Sequence, residues 1–124
     1  MKANQIFTIR RTGSGAVSEL WNLASFLTTD ADEGASIVSI MFHLSAAGGA
    51  TENFVARVLY DGTTPDYVMV QEDTNTATDI GWTPPKSWPL LKNDRVQFTY
   101  ANTNSRDWTL RIIYEKADHQ EMNT

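Results

Sequence analysis

The alternation of apolar and polar positions is clearest between Leu90 and Glu115, where two period-two runs flank a polar segment. In the first run Val96, Phe98 and Tyr100 share a face opposite Gln97 and Thr99. In the second, Trp108, Leu110, Ile112 and Tyr114 oppose Thr109, Arg111, Ile113 and Glu115. Side chains of a strand point alternately to its two faces, so each run reads as a half-buried strand. Between them, Ala101 to Asp107 is rich in Asn, Thr, Ser and Asp, whose side chains bond nearby backbone and favour reversal. The stretch is expected to form an antiparallel hairpin.

Ile37 to Leu44 is the most apolar run, with Val38, Ile40, Phe42 and Leu44 on one face, and is expected to be a central strand. Phe54, Ala56, Val58 and Tyr60 alternate with Val55, Arg57 and Leu59. With Tyr67 to Glu72 they predict a second hairpin, closed by the turn signals Asp61-Gly62 and Pro65-Asp66. Gln5 to Arg11 is a shorter strand, in which Ile6, Thr8 and Arg10 alternate with Phe7, Ile9 and Arg11; it ends in the flexible turn Thr12-Gly13-Ser14-Gly15. Ala16 to Thr28 departs from this rhythm. Val17, Leu20, Trp21, Ala24 and Leu27 form a stripe at helical spacing and predict a short helix on the end of a sheet. Asp73 to Pro89 has no regular period, and Lys116 to Thr124 is polar throughout.

About seven short strands with regular turns, at most one helix and no parallel strand–helix–strand rhythm predict an all-β fold. The expected form is an antiparallel two-sheet sandwich of jelly-roll kind, with an immunoglobulin-like sandwich as the alternative. Residues 1–115 would form the single sandwich domain and 116–124 a polar tail. The 124 residues suffice to bury roughly two thirds of the extended-chain surface. There is no cysteine, so disulfides and thiolate chemistry are excluded and the fold rests on packing. Four Trp, four Tyr and five Phe supply that packing.

Ten Lys and Arg against fifteen Asp and Glu give a net charge of −5, which opposes nucleic acid and anionic membrane surfaces as partners. Arg10-Arg11 is far short of a phosphate-neutralising stripe. No apolar leader or membrane-length span is seen, so neither a signal peptide nor an anchor is expected.

Candidate chemistry is sparse. Asp30, Asp32 and Glu33 sit in one acidic loop, as a calcium site requires. Glycine and glutamate are missing from the positions an EF-hand-like loop needs, so a solvated turn is expected. His43 has Met41 and Ser45 at i±2 and no second ligand there, and is read as a strand histidine; His119 falls in the tail. No nucleophile elbow or cofactor fingerprint is present, and neither enzymatic activity nor a cofactor is expected. The aperiodic segment carries Trp82 and Trp88 among Pro84, Pro85 and Pro89. Two indoles on a proline-stiffened loop can stack on sugar rings, with Asn75 and Asp79 as hydrogen-bond partners. The preferred alternative is that the indoles close the end of the sandwich or meet another subunit, because large indoles are usually covered.

The short acidic layout, the proline/tryptophan crossing and the close Leu90-Leu91-Lys92-Asn93-Asp94-Arg95-Val96, followed by an Asn-rich turn and a last strand, resemble small tailed-phage virion proteins. The similarity is to jelly-roll capsid decoration or cement proteins, and only the closing stretch matches in residues. The resemblance implies a structural protein of the virion, made without a signal peptide. Its partners would be itself, as homo-dimer or homo-trimer, and viral shell or tail proteins; it carries over no functional residue. Apolar sheet surface at Leu59, Trp108 and Ile113 is the expected interface. The rival function is a carbohydrate- or receptor-binding module built on Trp82 and Trp88.

Overall fold

A computed structural model of the chain describes residues 5–22, 35–60, 64–86, 88–90 and 94–116. Among these residues there is no helix. Nine strands are formed: β1 (Gln5–Gly13), β2 (Val17–Trp21), β3 (Ala35–Leu44), β4 (Asn53–Tyr60), β5 (Thr64–Asp73), β6 (Asp79–Trp82), β7 (Trp88–Leu90), β8 (Arg95–Tyr100) and β9 (Trp108–Lys116). One sheet has the order β1-β9-β3-β6, with β7 sharing the β6 edge of β3; the other has the order β2-β8-β4-β5. All pairs are antiparallel: β1 with β9, β2 with β8, β3 with β6 and β7, and β4 with β5. These nested pairs describe one long hairpin, and rolling it up adds the pairs β3–β9 and β4–β8. That is a jelly roll, the predicted fold, and not the immunoglobulin arrangement.

The inward faces carry the alternation read from the sequence. Val96, Phe98 and Tyr100 of β8, and Trp108, Leu110, Ile112 and Tyr114 of β9, are all buried. Phe42 of β3 stacks on Phe54 of β4 with centroids 4.2 Å apart and meets Tyr100 edge-on at 5.5 Å, so rings from both sheets interlock at mid-core. Trp21 extends this aromatic row through Phe98, at 5.1 Å.

Four expectations are corrected. β8 and β9 do not form a hairpin: they lie in different sheets, and residues 101–107 cross between them. The crossing is held by Asn102, which is buried with φ of 52°. Its amide donates to Ser14 O, Gly15 O and Arg106 O, and its carbonyl oxygen accepts from Arg106 N. Val17–Trp21 is a strand, with Val17, Glu19 and Trp21 facing inward beside β8. A spacing of four satisfies both the helical period and the strand period, so Val17 and Trp21 alone do not separate them. In β3 the register slips between Ile37 and Ser39, a β-bulge that turns Ile37 into the core and leaves Val38 half-buried. Finally, Pro65 and Asp66 fall within β5 and not in a turn, since Tyr60 already pairs with Thr64. Asp61 and Gly62, the acidic residues Asp30, Asp32 and Glu33, and the tail from residue 117 with His119 lie outside the described residues.

Candidate interaction surface

A two-sheet sandwich has two open margins, where the edge strands of the sheets face each other. On one margin β1 lies against β2. The Arg11 guanidinium sits 5.5 Å over the Trp21 ring and 3.8 Å from Glu19, and Trp21 Nε1 donates to Glu19. On the other margin β5 lies against β6 and β7. Tyr67 stacks on Trp88 at 5.1 Å, bridging the two sheets, and Trp88 meets Trp82 at 5.9 Å. A second bulge is set in β5, where Ala56 pairs with Val70 and Arg57 with Val68, so Met69 and Val70 both turn inward. The result is a groove of about 530 Å³ lined by Tyr67, Met69, Trp82, Pro84, Pro85 and Trp88, with Lys86 also on its wall.

The two indoles proposed as a sugar platform are therefore brought together, but their polar partners are not. Asp79 points out from the opposite end of β6, where its carboxylate accepts from His43 Nδ1 at 2.6 Å and from Thr78 Oγ1 at 3.0 Å. The His43 hydrogen bond, then the Thr78 one, hold the Asp79 carboxyl below its ordinary range. Asn75 lies in the β5–β6 turn, its N–H on Asp73 Oδ1 and its carbonyl on Gly49 N. Trp88 also has its ring stacked on Tyr67, and both indoles pack partly against the core. His43 thus has a carboxylate partner, supplied by the neighbouring strand at His43↔Asp79 and invisible to an i±2 search. The pair lies on an exposed shallow surface over Gly81, beside Thr109 and Arg111.

Of the expected interface residues, Leu59 and Ile113 sit half-buried on the outer faces of β4 and β9. Trp108 does not belong with them. It is 6% exposed and lies across Gly13, where an added Cβ would come within 2.7 Å of the indole. Its Nε1 donates to Gly15 O, so it is a core residue that closes the β1–β2 turn.

Exposed large apolar side chains lie elsewhere. Among the described residues they are Ile6 and Leu20 on β1 and β2, and Tyr60, Tyr67 and Val68 on β4 and β5. None lies on β3, β8 or β9. The helical reading of 16–28 concealed Leu20.

No protein-family model and no curated protein matches the chain. Among solved structures it is similar to Drosophila NLP-core, described for pentamer formation and histone binding. That likeness has a TM-score of 0.50 and 15% identity over 94% of this chain and 100% of that one. It is also similar to a chain of infectious bursal disease virus Gx strain, with a TM-score of 0.45 and 12% identity, covering 94% of this chain and 32% of that one. A third similarity is to the VLP of extra small virus of the giant freshwater prawn Macrobrachium rosenbergii, with a TM-score of 0.43, 10% identity, and coverage of 97% and 83%. At such identities the NLP-core likeness is one of fold alone.

Proposed function

We propose that this chain is a non-enzymatic structural subunit that works by assembling with copies of itself, as a capsid decoration protein or another assembly component of a virion. The observation that carries the reading is that four of the five exposed large apolar side chains among the described residues, Ile6, Leu20, Tyr67 and Val68, lie on the edge strands β1, β2 and β5. Apolar side chains left in water singly are unremarkable, but sets of them on edges beside an aromatic groove mark contact surface. That one protein of similar fold is described as forming pentamers supports self-association. The virion assignment draws on the resemblance of the Leu90–Glu115 close to phage decoration proteins.

Light scattering across a hundredfold range of concentration tests the assembly, and co-sedimentation with purified shells tests the destination. A monomer at every concentration that also leaves shells bare refutes the reading. The groove at Trp82 and Trp88 favours a second reading, a carbohydrate- or receptor-binding module. A glycan screen supports it only if retention disappears in Trp82→Ala/Trp88→Ala protein that still melts as the parent does.

A further inference from the structure

We infer that the outer face of the β1-β9-β3-β6 sheet holds a binding site for a carboxylate-bearing sugar, the acid meeting Arg10 and Arg111 and the ring hydroxyls meeting the His43–Asp79 pair. The inference is independent of the assembly reading and of the groove at Trp82 and Trp88. Strand register brings the site together. Arg10 stands opposite Arg111, Arg111 opposite Met41 and Met41 opposite Gly81; in the next outward row Thr12, Thr109, His43 and Asp79 follow one another in the same way. Ile9, Leu110 and Phe42, which alternate with these residues, are buried, so the two rows face outward. Over them lies a shallow depression of about 370 Å³, with Arg111 and Thr109 at its β9 end and Asp79 and Gly81 at its β6 end. Its floor is open because Gly81 carries no side chain: a Cβ there would meet nothing within 4 Å. His43 and Thr109 also line a neighbouring depression of about 390 Å³, beside Thr12, Ser45 and Asp107.

Two ends of opposite character choose the ligand. Among the described residues no ion pair joins Arg10 or Arg111 to an acid, and like charges directly opposite each other are destabilising until an anion meets them. Guanidinium forks take carboxylates in bidentate fashion. Asp79 is the opposite case. Its Oδ1 accepts from His43 Nδ1 at 2.6 Å and its Oδ2 from Thr78 Oγ1 at 3.0 Å. These bonds hold the carboxyl below its ordinary range, so it is an anion with a lone pair still open on each oxygen. An ionised carboxylate only accepts, so it fixes a proton on His43 Nδ1 and leaves Nε2 to accept when the ring is neutral. Sugar hydroxyls supply the donors that both need. Strands about 4.8 Å apart put Arg111 and Asp79 two spacings from each other, a span that one pyranose ring covers with its substituents. The half-buried Met41 lies between them, under the C–H face of such a ring. A neutral sugar leaves the arginines unmet, and a polyanion such as nucleic acid or a sulfated chain sets charge against Asp79, Asp107 and a net charge of −5. A single acid on a hydroxylated ring satisfies both ends.

NMR titration of the full chain tests this, with methyl glycosides of glucuronic, galacturonic and N-acetylneuraminic acid as acidic probes and methyl glucoside and inorganic sulfate as controls. At least one acid is expected to shift the backbone amides of His43, Asp79, Gly81, Thr109 and Arg111 saturably. It should bind about tenfold or more tightly than the glucoside, the worth of one charge-assisted hydrogen bond, and more tightly than sulfate. Gly81→Val fills the floor and Arg111→Gln removes one fork; both positions are exposed, so each variant should keep the parent melting temperature. Each should lose about tenfold in affinity for the acidic sugar. The absence of a saturable shift with any of the three acids overturns the site. So does binding of the glucoside or of sulfate as tight as that of the acids, which would make the face a general polar or anion patch, and so does full affinity in folded Gly81→Val protein. Shifts confined to Trp82 and Trp88 overturn it in favour of the groove.

Discussion

The arch from β8 to β9 should depend on one side chain, and Asn102→Ala measures that dependence. The Asn102 amide donates to Ser14 O at 3.1 Å, Gly15 O at 2.9 Å and Arg106 O at 2.9 Å, and its oxygen accepts from Arg106 N at 2.9 Å. Gly15 O keeps the Trp108 Nε1 donor after the substitution. Three groups are left to find new partners, at about 1 kcal/mol each. Alanine must also hold φ near 52°, which costs about 1 kcal/mol more. The sum is about 4 kcal/mol, or roughly 15 °C in Tm for a domain of this size. Asn102→Gly relieves only the dihedral part and should melt a few degrees above Asn102→Ala. Asn102→Asp sets a carboxylate against the same carbonyl oxygens and should be no better than alanine at neutral pH, recovering in acid as the carboxylate is protonated. Urea denaturation at fixed pH gives the free energies. An alanine variant within about 1 kcal/mol of the parent, or a glycine variant less stable than the alanine one, would refute the account of the arch.

Gly48→Ala would bring a Cβ within 2.6 Å of Thr74 Oγ1 and 2.7 Å of Tyr100 OH, groups that are themselves hydrogen-bonded at 2.6 Å. A loss of about 1–3 kcal/mol is expected in urea denaturation. Tyr114 OH is buried with no hydrogen-bond partner among the described residues, and burial pushes its pKa up. Tyr114→Phe should therefore be neutral or stabilising by up to about 1 kcal/mol. A tyrosine whose folded pKa is raised favours the protonated form, so wild type should lose stability as pH rises above about 10, and part of that loss should vanish in the phenylalanine variant. His43→Ala should raise the titration midpoint of the Asp79 carboxyl, read by carbon NMR, because the main cause of its depression is gone. The depressed pKa stabilises the fold above the unfolded carboxyl pKa, and that contribution is lost as pH falls through the folded value; His43→Ala should show less of this acid loss.

Long strands that bury one face were legible in the sequence, because burial writes the period of two directly into it. Thus the inward faces of β8 and β9 were read residue by residue, and the β4–β5 hairpin was paired correctly. What pairs with what over long separations was not legible. A polar run such as Ala101 to Asp107 serves a hairpin or an arch equally well. The choice is made by Asn102 reaching Ser14 and Gly15, 88 and 87 positions away. β6 and β7, of four and three residues, are too short to display any period, so Asp73 to Pro89 read as one loop although both strands complete the β3 edge. Trp82 and Trp88 were singled out for residue type alone. Their separation from Asp79 follows from alternation along β6, which turns Ile80 and Trp82 in and Asp79 and Gly81 out, while Asn75 lies before that strand in the β5–β6 turn.

On the assembly reading, the margins would couple stability to assembly. A jelly roll does not close into a barrel, and each open side must be covered by side chains that belong to neither sheet's central face. Here Arg11, Glu19 and Trp21 cover one side, and Tyr67, Trp82 and Trp88 cover the other. Tyr67 remains half exposed while bridging β5 to β7, so it contributes to the fold through the Trp88 stack and leaves its remaining surface facing outward. Replacing it should lower both the melting temperature and the assembled mass. Ile6, at 67% exposure and with no aromatic stack, should affect mass alone. A comparison of the two single variants therefore separates the part of the margin that holds the sandwich together from the part that faces outward. If Ile6→Ser, which sets no second carboxylate opposite Glu115, lowered the melting temperature of the monomer as much as Tyr67→Ala does, the division of labour drawn from their burial would be wrong.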